Sequence, residues 1–330
     1  MRQGLQDLSI SRSSFDWGIP VPWDEKHVLY VWIDALLNYA TAAGFGADTE
    51  ADAAMFARTW PADVHLVGKD ILRFHAVIWP AMLMAAGVDV PRQVFAHGWL
   101  QVGGQKMSKS KATAIHPNEI VDTFGSDAYR YYFLGAIAFG SDGSFSWEHM
   151  SAVYTSELAN GLGNLASRVT SMVVRYFGGV LPEPADLGPA EEALATRLAE
   201  TVATAERAVD RLALHEAVAA IEAFVGAVNI YVTEQEPWRV AKDDSAQARA
   251  RLATILYAAA ESLRAVAVLH APVLPRTAAA LWERLGAAEQ LGPLAEQQVS
   301  EAGRWGRLAP GARLSKGDQL FPRLEPDTPA

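Results

Sequence analysis

The feature that most constrains the fold is a change of pattern near residue 147. Before it, short apolar runs end in glycine and lead into helical segments. Asp63-Val64-His65-Leu66-Val67-Gly68 reads as a strand, and Lys69 to about Ala86 as the helix that follows, closed by Gly87. Val94 to Val102 reads as a second strand, ending at Gly103-Gly104. After Ser141-Asp142-Gly143-Ser144 almost every residue carries a helical period, over 147–177, 190–211, 214–236, 244–270 and 276–285. The breaks fall at Gly178-Gly179 with Pro182 and Pro184, at Pro237, and at Pro272 and Pro275. One layer cannot satisfy both patterns. The chain reads as α/β followed by an all-α bundle.

The 330 residues suffice for two domains with cores of their own. Net charge is −10, shared between the two halves, so composition announces no polyanion partner. Any nucleic acid is expected to bind through local patches. There are no cysteines, which excludes a thiol nucleophile and a cysteine zinc site. No apolar run reads as a membrane span and the start is not a signal peptide, so a cytoplasmic setting is expected.

Chemistry concentrates at Gln105-Lys106-Met107-Ser108-Lys109-Ser110-Lys111. Three lysines stand within six residues on a loop that leaves a sheet. A lysine is a compact charge on a flexible stem, able to follow charge along a phosphate chain. A solvated surface loop is the plainer reading of such a heptad. Two other stretches group aromatic residues. Val28-Leu29-Tyr30-Val31-Trp32-Ile33 reads as β-rich, turning helical at Asp34, with Trp32, Ala35 and Tyr39 on one helical face. Ile71, His75 and Trp79 line a second face, with Phe74 beside them. Both can be core stripes. Alternatively they form a slot for a flexible apolar side chain, and a thioether suits aromatic walls. Gly68, at a strand end, allows a nucleotide close to the backbone.

Further on, Pro117 is expected to open one short helix and Asp127 to cap the next after Gly125. Asn164 and Arg168 share a helix face, and Trp238 follows Pro237 at a break. Such groups can hydrogen-bond and stack unpaired bases, although a surface pair plus a buried tryptophan has the same spacing. Leu320-Phe321-Pro322-Arg323 reads as a strap returning to the bundle.

Lys106-Met107-Ser108-Lys109-Ser110 resembles the second signature motif of class I aminoacyl-tRNA synthetases. Further stretches agree: Ile10-Ser11-Arg12, Trp17-Gly18-Ile19-Pro20, Val31-Trp32-Ile33-Asp34-Ala35, Gly68-Lys69-Asp70-Ile71 and Phe74-His75. So do Trp79-Pro80-Ala81-Met82-Leu83, Asp127-Ala128-Tyr129-Arg130-Tyr131-Tyr132, Asn164-Leu165-Ala166-Ser167-Arg168 and Glu236-Pro237-Trp238. In order and over roughly residues 5–285, they resemble the bacterial methionyl-tRNA synthetases.

The resemblance implies the C-terminal half of a class I Rossmann-like catalytic domain over 1–114, a connecting region that contacts the tRNA stem over 115–150, and a helical anticodon-binding domain over 151–330, its tail starting near 287. It implies that Trp32, Ala35, Leu36, Tyr39, Ile71 and His75 line a methionine pocket supported by Phe74 and Trp79. Asp70 and Arg12 would pair and position the pocket and the substrate's charged end. Gly68 would pack on adenosine. Lys106, Ser108 and Lys109 would bind ATP, the two lysines catalytically. Asn164, Arg168 and Trp238 would read the CAU anticodon. Leu36 replaces a proline of some members, and Lys111-Ala112-Thr113 stands where many class I enzymes have glycine-asparagine.

The implied reaction needs no side-chain nucleophile: methionine and ATP, with Mg²⁺, give methionyl-adenylate, and tRNA(Met) then accepts the methionyl group. The family's His-Ile-Gly-His signature is absent from these residues. The sequence therefore reads as the C-terminal part of a longer enzyme, inactive alone; no zinc site is expected within these residues, and a monomer is expected. The alternative is a non-catalytic tRNA-binding module derived from a synthetase.

Overall fold

The computed structural model describes residues 9–102, 105–106 and 115–324. They form two compact units that divide after Gly98.

The first unit opens with a small antiparallel sheet of β1 (Ser11–Arg12), β2 (Pro20–Val21) and β3 (Asp24–Leu29), with β3 in the middle. The pairing ends at Leu29, and α1 (Val31–Ala42) begins two residues later. Val31-Trp32-Ile33 is thus helical, against the β-rich reading of that run. The backbone loses its strand partners at Leu29, and the 3.6-residue period of Trp32, Ala35, Leu36, Tyr39 and Ala40 prevails. In α2 (Glu50–Thr59), Thr49 caps the start by accepting the Asp52 amide.

Next, β4 (Val64–Gly68) pairs in parallel with β5 (Gln93–His97). The crossover between them contains a 3₁₀ turn (Lys69–Ile71), a wide π turn (Phe74–Ile78) and α3 (Trp79–Ala85). Gly87, at φ +69°, ends that helical stretch. This is a β-helix-β unit, the arrangement that aims the start of its helix at the strands' carboxyl ends. The unit's core is small: Leu36, Ala40, Trp79 and Leu83 are buried, with Phe45, Phe56 and Trp60 packed on them.

The expected strand 94–102 is two strands. The second, β6 (Leu100–Val102), belongs to the other unit, between β7 (Gln105–Lys106, antiparallel) and β8 (Gly143–Phe145, parallel). There α4 (Pro117–Phe124) and α5 (Ser126–Gly135) are separated by Gly125 at φ +87°. Pro117 occupies the first turn of α4 as expected. Asp127 does not cap its own helix, where backbone geometry gives the cap position to Gly125. Its buried Oδ2 instead accepts the Thr277 amide at 2.7 Å, 150 residues on. It caps the start of α12 (Pro275–Arg284) in place of that helix's own side chains.

The bundle comprises α6 (Trp147–Val153), a π-helical segment (Tyr154–Gly163), α7 (Asn164–Phe177), α8 (Pro189–Asp210), α9 (Leu214–Gln235), the short α10 (Pro237–Val240), α11 (Ala246–His270) and α12. Two short helices, α13 (Ala287–Leu291) and α14 (Val299–Ala302), precede the tail. One core runs from Ile120 and Phe124 through Phe224, Leu263 and Trp282 to Phe321, so the region before residue 147 shares it.

Two of these helices, Ala246–His270 and the stretch Leu214–Val240, are long and apolar enough to cross a membrane. The most apolar window of the first is wholly buried inside the bundle, which accounts for its composition.

One buried carboxylate in this core is fully engaged. Glu191, with no exposed surface, accepts two bonds from Arg251 at 2.9 and 3.0 Å, one from the Tyr231 hydroxyl and one from the Gly188 amide. Burial alone would raise its pKa. Arg251, Tyr231 and the amide outweigh that and hold it below the ordinary 4.5.

Candidate functional site

In the first unit, α1 and the β4–α3 crossover bring together an aromatic and imidazole group. The Trp32 ring stacks on Phe74 at 4.4 Å between centroids and 13° between planes. His75 is buried on the π turn. Its Nδ1 lies 2.9 Å from the Ile71 carbonyl oxygen, which can only accept, so Nδ1 carries a proton. In the neutral ring Nε2 then accepts the Tyr39 hydroxyl proton at 2.8 Å. Two hydrogen bonds fix the tautomer and orientation of His75. Tyr39 stays 36% exposed, so its ring faces both this group and solvent.

Trp79, buried on the next turn, donates its indole N–H to His65 Nε2 at 3.1 Å. His65, on the buried face of β4, packs its ring on Tyr39 at 4.5 Å. His65 belongs to no motif, yet its position between outward-facing Val64 and Leu66 marks it as inward by strand alternation. Burial, and secondarily the nearby His75, holds His65 below the usual imidazole value of 6.5. The unfolded chain therefore binds more protons in the window below 6.5, and stability should fall as pH drops through it. A urea midpoint that decreases from pH 7.5 to 5.5 in the parent, and decreases less in His65→Asn, is the expected result. Equal pH dependence in both would remove His65 as the cause.

The other expected pocket residues have distinct surroundings. Ala35 and Ile71 are half-buried, whereas Leu36 is wholly buried and packs into the unit's core with Ala40, Trp79 and Leu83. Arg12 holds its guanidinium 4.0 Å above the Tyr30 ring. Gly68 ends β4, and a Cβ there would stand 3.1 Å from Asp70 Oδ1. Its bareness therefore leaves room for the Asp70 carboxylate.

In the second unit, Lys106 lies on β7, its backbone opposite Gln101. Ser108 and Lys109 lie outside the described residues.

The bundle brings the other three expected residues to one place in part. Asn164 and Arg168 are one turn apart on α7, Asn164 exposed. The Arg168 guanidinium sits 5.4 Å from the Trp238 ring centroid, and Trp238 is 36% exposed. That is cation–π range. The break before Trp238 is sharp. Glu236 adopts φ +42°, a left-handed conformation that a residue before proline rarely takes. The Arg239 amide and guanidinium both bond Glu236, at 2.7 and 2.8 Å, and hold the turn.

An unpaired base can stack and bond on such a platform, and a flexible apolar side chain can lie on the Trp32–Tyr39–His75 group. The family model for tRNA synthetases class I (M) matches residues 1–170, and the chain belongs to that family. Within it the chain falls in the methionyl branch: residues 181–329 match the anticodon binding domain of methionyl tRNA ligase. The methionine–tRNA ligase of Streptomyces coelicolor is 62% identical over 326 residues, 98% of this chain and 60% of that protein. That of Mycobacterium leprae is 44% identical, over 98% of this chain and 58% of its own length. The solved Mycobacterium tuberculosis methionyl-tRNA synthetase, in complex with methionyl-adenylate, superimposes with a TM-score of 0.88 at 42% identity, covering 98% of this chain and 61% of that one. The chain thus spans about three fifths of each of these relatives.

Proposed function

We propose that this chain supplies the methionine-selecting, phosphate-binding and anticodon-reading parts of a methionine–tRNA ligase. The observation that carries the reading is the Trp32–Phe74 stack beside the Tyr39–His75 hydrogen bond. Polarizable ring walls favour a thioether over a branched alkyl chain. A histidine locked by two bonds gives the slot a fixed shape.

In this reading the methionine carboxylate attacks the α-phosphate of ATP and pyrophosphate leaves. The terminal ribose hydroxyl of tRNA(Met) then attacks the adenylate carbonyl, the mixed anhydride breaks and AMP leaves. The protein's part is alignment and charge stabilisation. Arg12 and Asp70 orient the substrate's charged end, Gly68 packs on adenosine, and Lys106, Ser108 and Lys109 hold the triphosphate. Asn164, Arg168 and Trp238 read CAU. Among the described residues no three His, Asp or Glu side chains converge on a metal position. Magnesium would arrive with the phosphates of ATP.

Tryptophan fluorescence tests the slot directly, because Trp32 lies in its wall. Methionine should change the emission saturably, leucine at the same concentration much less, and Tyr39→Phe should weaken binding about tenfold, the worth of one hydrogen bond. Equal responses to methionine and leucine would count against the assignment.

A further inference from the structure

The tail residue Phe321 touches both ends of the π-helical segment that leads into α7. Its ring meets Tyr154, the first residue of that segment, edge-on at 6.0 Å between centroids. At the last residue, Gly163, an added Cβ would lie 3.4 Å from Phe321 Cδ2 and 3.8 Å from its Cβ. Phe321 itself is 7% exposed. The Tyr154 hydroxyl donates to the Pro322 carbonyl at 2.7 Å, so a second bond ties the same two elements. The strap therefore spans the segment from end to end.

This matters because of what the segment sets. A π-helix inserts an extra residue per turn and rotates everything after it relative to an α-helical register. Here the next residue is Asn164, whose amide reaches back five residues to the Ala159 carbonyl. Arg168 follows one turn later. The width of the segment thus determines the direction in which Asn164 and Arg168 leave the helix. Wide turns are rare and usually a single turn long, so a ten-residue segment of them points to packing that holds it. At Gly163 a side chain would crowd the Leu158 carbonyl, 3.1 Å from the Cβ position, and its first carbon would already fill the contact distance to Phe321. Gln319, Leu320, Phe321 and Arg323 also line, with Asn164 and Ser167, a cavity of about 110 Å³.

We infer that Phe321 is a positioning residue for anticodon recognition: it latches the π-helical segment in the register that presents Asn164 and Arg168 to an unpaired RNA base. The inference rests on the anticodon reading given above. It assigns no contact between Phe321 and RNA.

Fluorescence anisotropy of the full chain with a stem-loop carrying CAU, and with one carrying a changed first base, tests it. Phe321→Ala should weaken CAU binding about tenfold and narrow the ratio between the two loops. Phe321→Leu, which refills most of the space, should restore the ratio. Tyr154→Phe removes only the hydroxyl bond to Pro322 and should narrow the ratio severalfold without unfolding, so the idea can be judged even if Phe321→Ala does not fold. If Phe321→Ala and Tyr154→Phe discriminate like the parent while Asn164→Ala and Trp238→Ala do not, the latch is overturned and the anticodon reading stands. If Asn164→Ala and Trp238→Ala also bind and discriminate like the parent, both are overturned.

Discussion

Glu261→Ala is expected to destabilise the bundle by about 3–5 kcal/mol, the cost of breaking a buried ion pair from one side. Glu261 and Arg264 are neighbours on α11 with at most 1% of their side chains exposed. Arg264 donates twice to Glu261 Oε1, at 2.7 and 3.2 Å, and reaches the Ala302 and Arg304 carbonyls. The same carboxylate collects three amides of the returning tail: Gly306 and Arg307 on Oε1, Leu308 on Oε2, at 2.9–3.1 Å. Deleting it leaves a guanidinium charge in the core and orphans three amides at once. Glu261→Gln keeps the shape but loses the charge, and should cost less than the alanine variant. Urea unfolding gives the magnitude. Hydrogen exchange adds a local signature, because the amides of 306–308 should lose protection before the helices do. A loss under about 1 kcal/mol would mean that the tail is held by its apolar contacts and not by the carboxylate.

The second large effect concerns rate. In the chain completed by the portion of the Streptomyces coelicolor relative that it does not match, replacing Lys106 and Lys109 together by alanine should lower kcat for adenylate formation roughly 10²–10³-fold, about 2.7–4.1 kcal/mol of transition-state stabilisation. The KM for methionine should move little, because the role proposed for the lysines is on phosphate charge and not on the side-chain slot. Charge on the leaving pyrophosphate grows as the reaction proceeds, so a cation that follows it stabilises the transition state more than the ground state. Arginine at these positions should rescue only in part: its planar fork is less able to follow a moving charge than a point ammonium. Stopped-flow or exchange kinetics of each variant would measure this. A rise in methionine KM at unchanged kcat would show that the lysines serve binding.

Periodicity reports packing, so the two patterns were legible, but the compact units divide after Gly98 and not near residue 147, because residues from Ile120 on share the bundle's core. Helical periods after residue 147 and strand-glycine-helix units before it correspond to the bundle and to the β4–α3–β5 crossover. The tail strap was also legible: apolar Leu320 and Phe321 stand out in a polar stretch, and Phe321 is buried. Local pattern alone misjudged places where a distant partner decides. Val31-Trp32-Ile33 has β-forming side chains, but among the described residues no strand pairs with it. Asp127 has the chemistry and position of a cap, yet serves a helix 150 residues away. His65 and Glu261 carry no motif, and their roles depend on Trp79 in one case and on tail amides in the other. Of the candidate site, the aromatic faces could be read as spacing. The tautomer of His75 and the Arg168–Trp238 contact required geometry. Lys109 and Ser108 rest on motif alone.

The central claim is that the Trp32–Tyr39–His75 group selects methionine for activation. The direct measurement is amino-acid-dependent ATP–pyrophosphate exchange, with this chain completed by the portion of the Streptomyces coelicolor relative that it does not match. The account predicts exchange with methionine and little with leucine. It also predicts that His75→Ala and Trp32→Ala raise the methionine KM and shrink the preference for methionine over leucine. Exchange with leucine as fast as with methionine in the parent, or an undiminished preference in both variants, would contradict it.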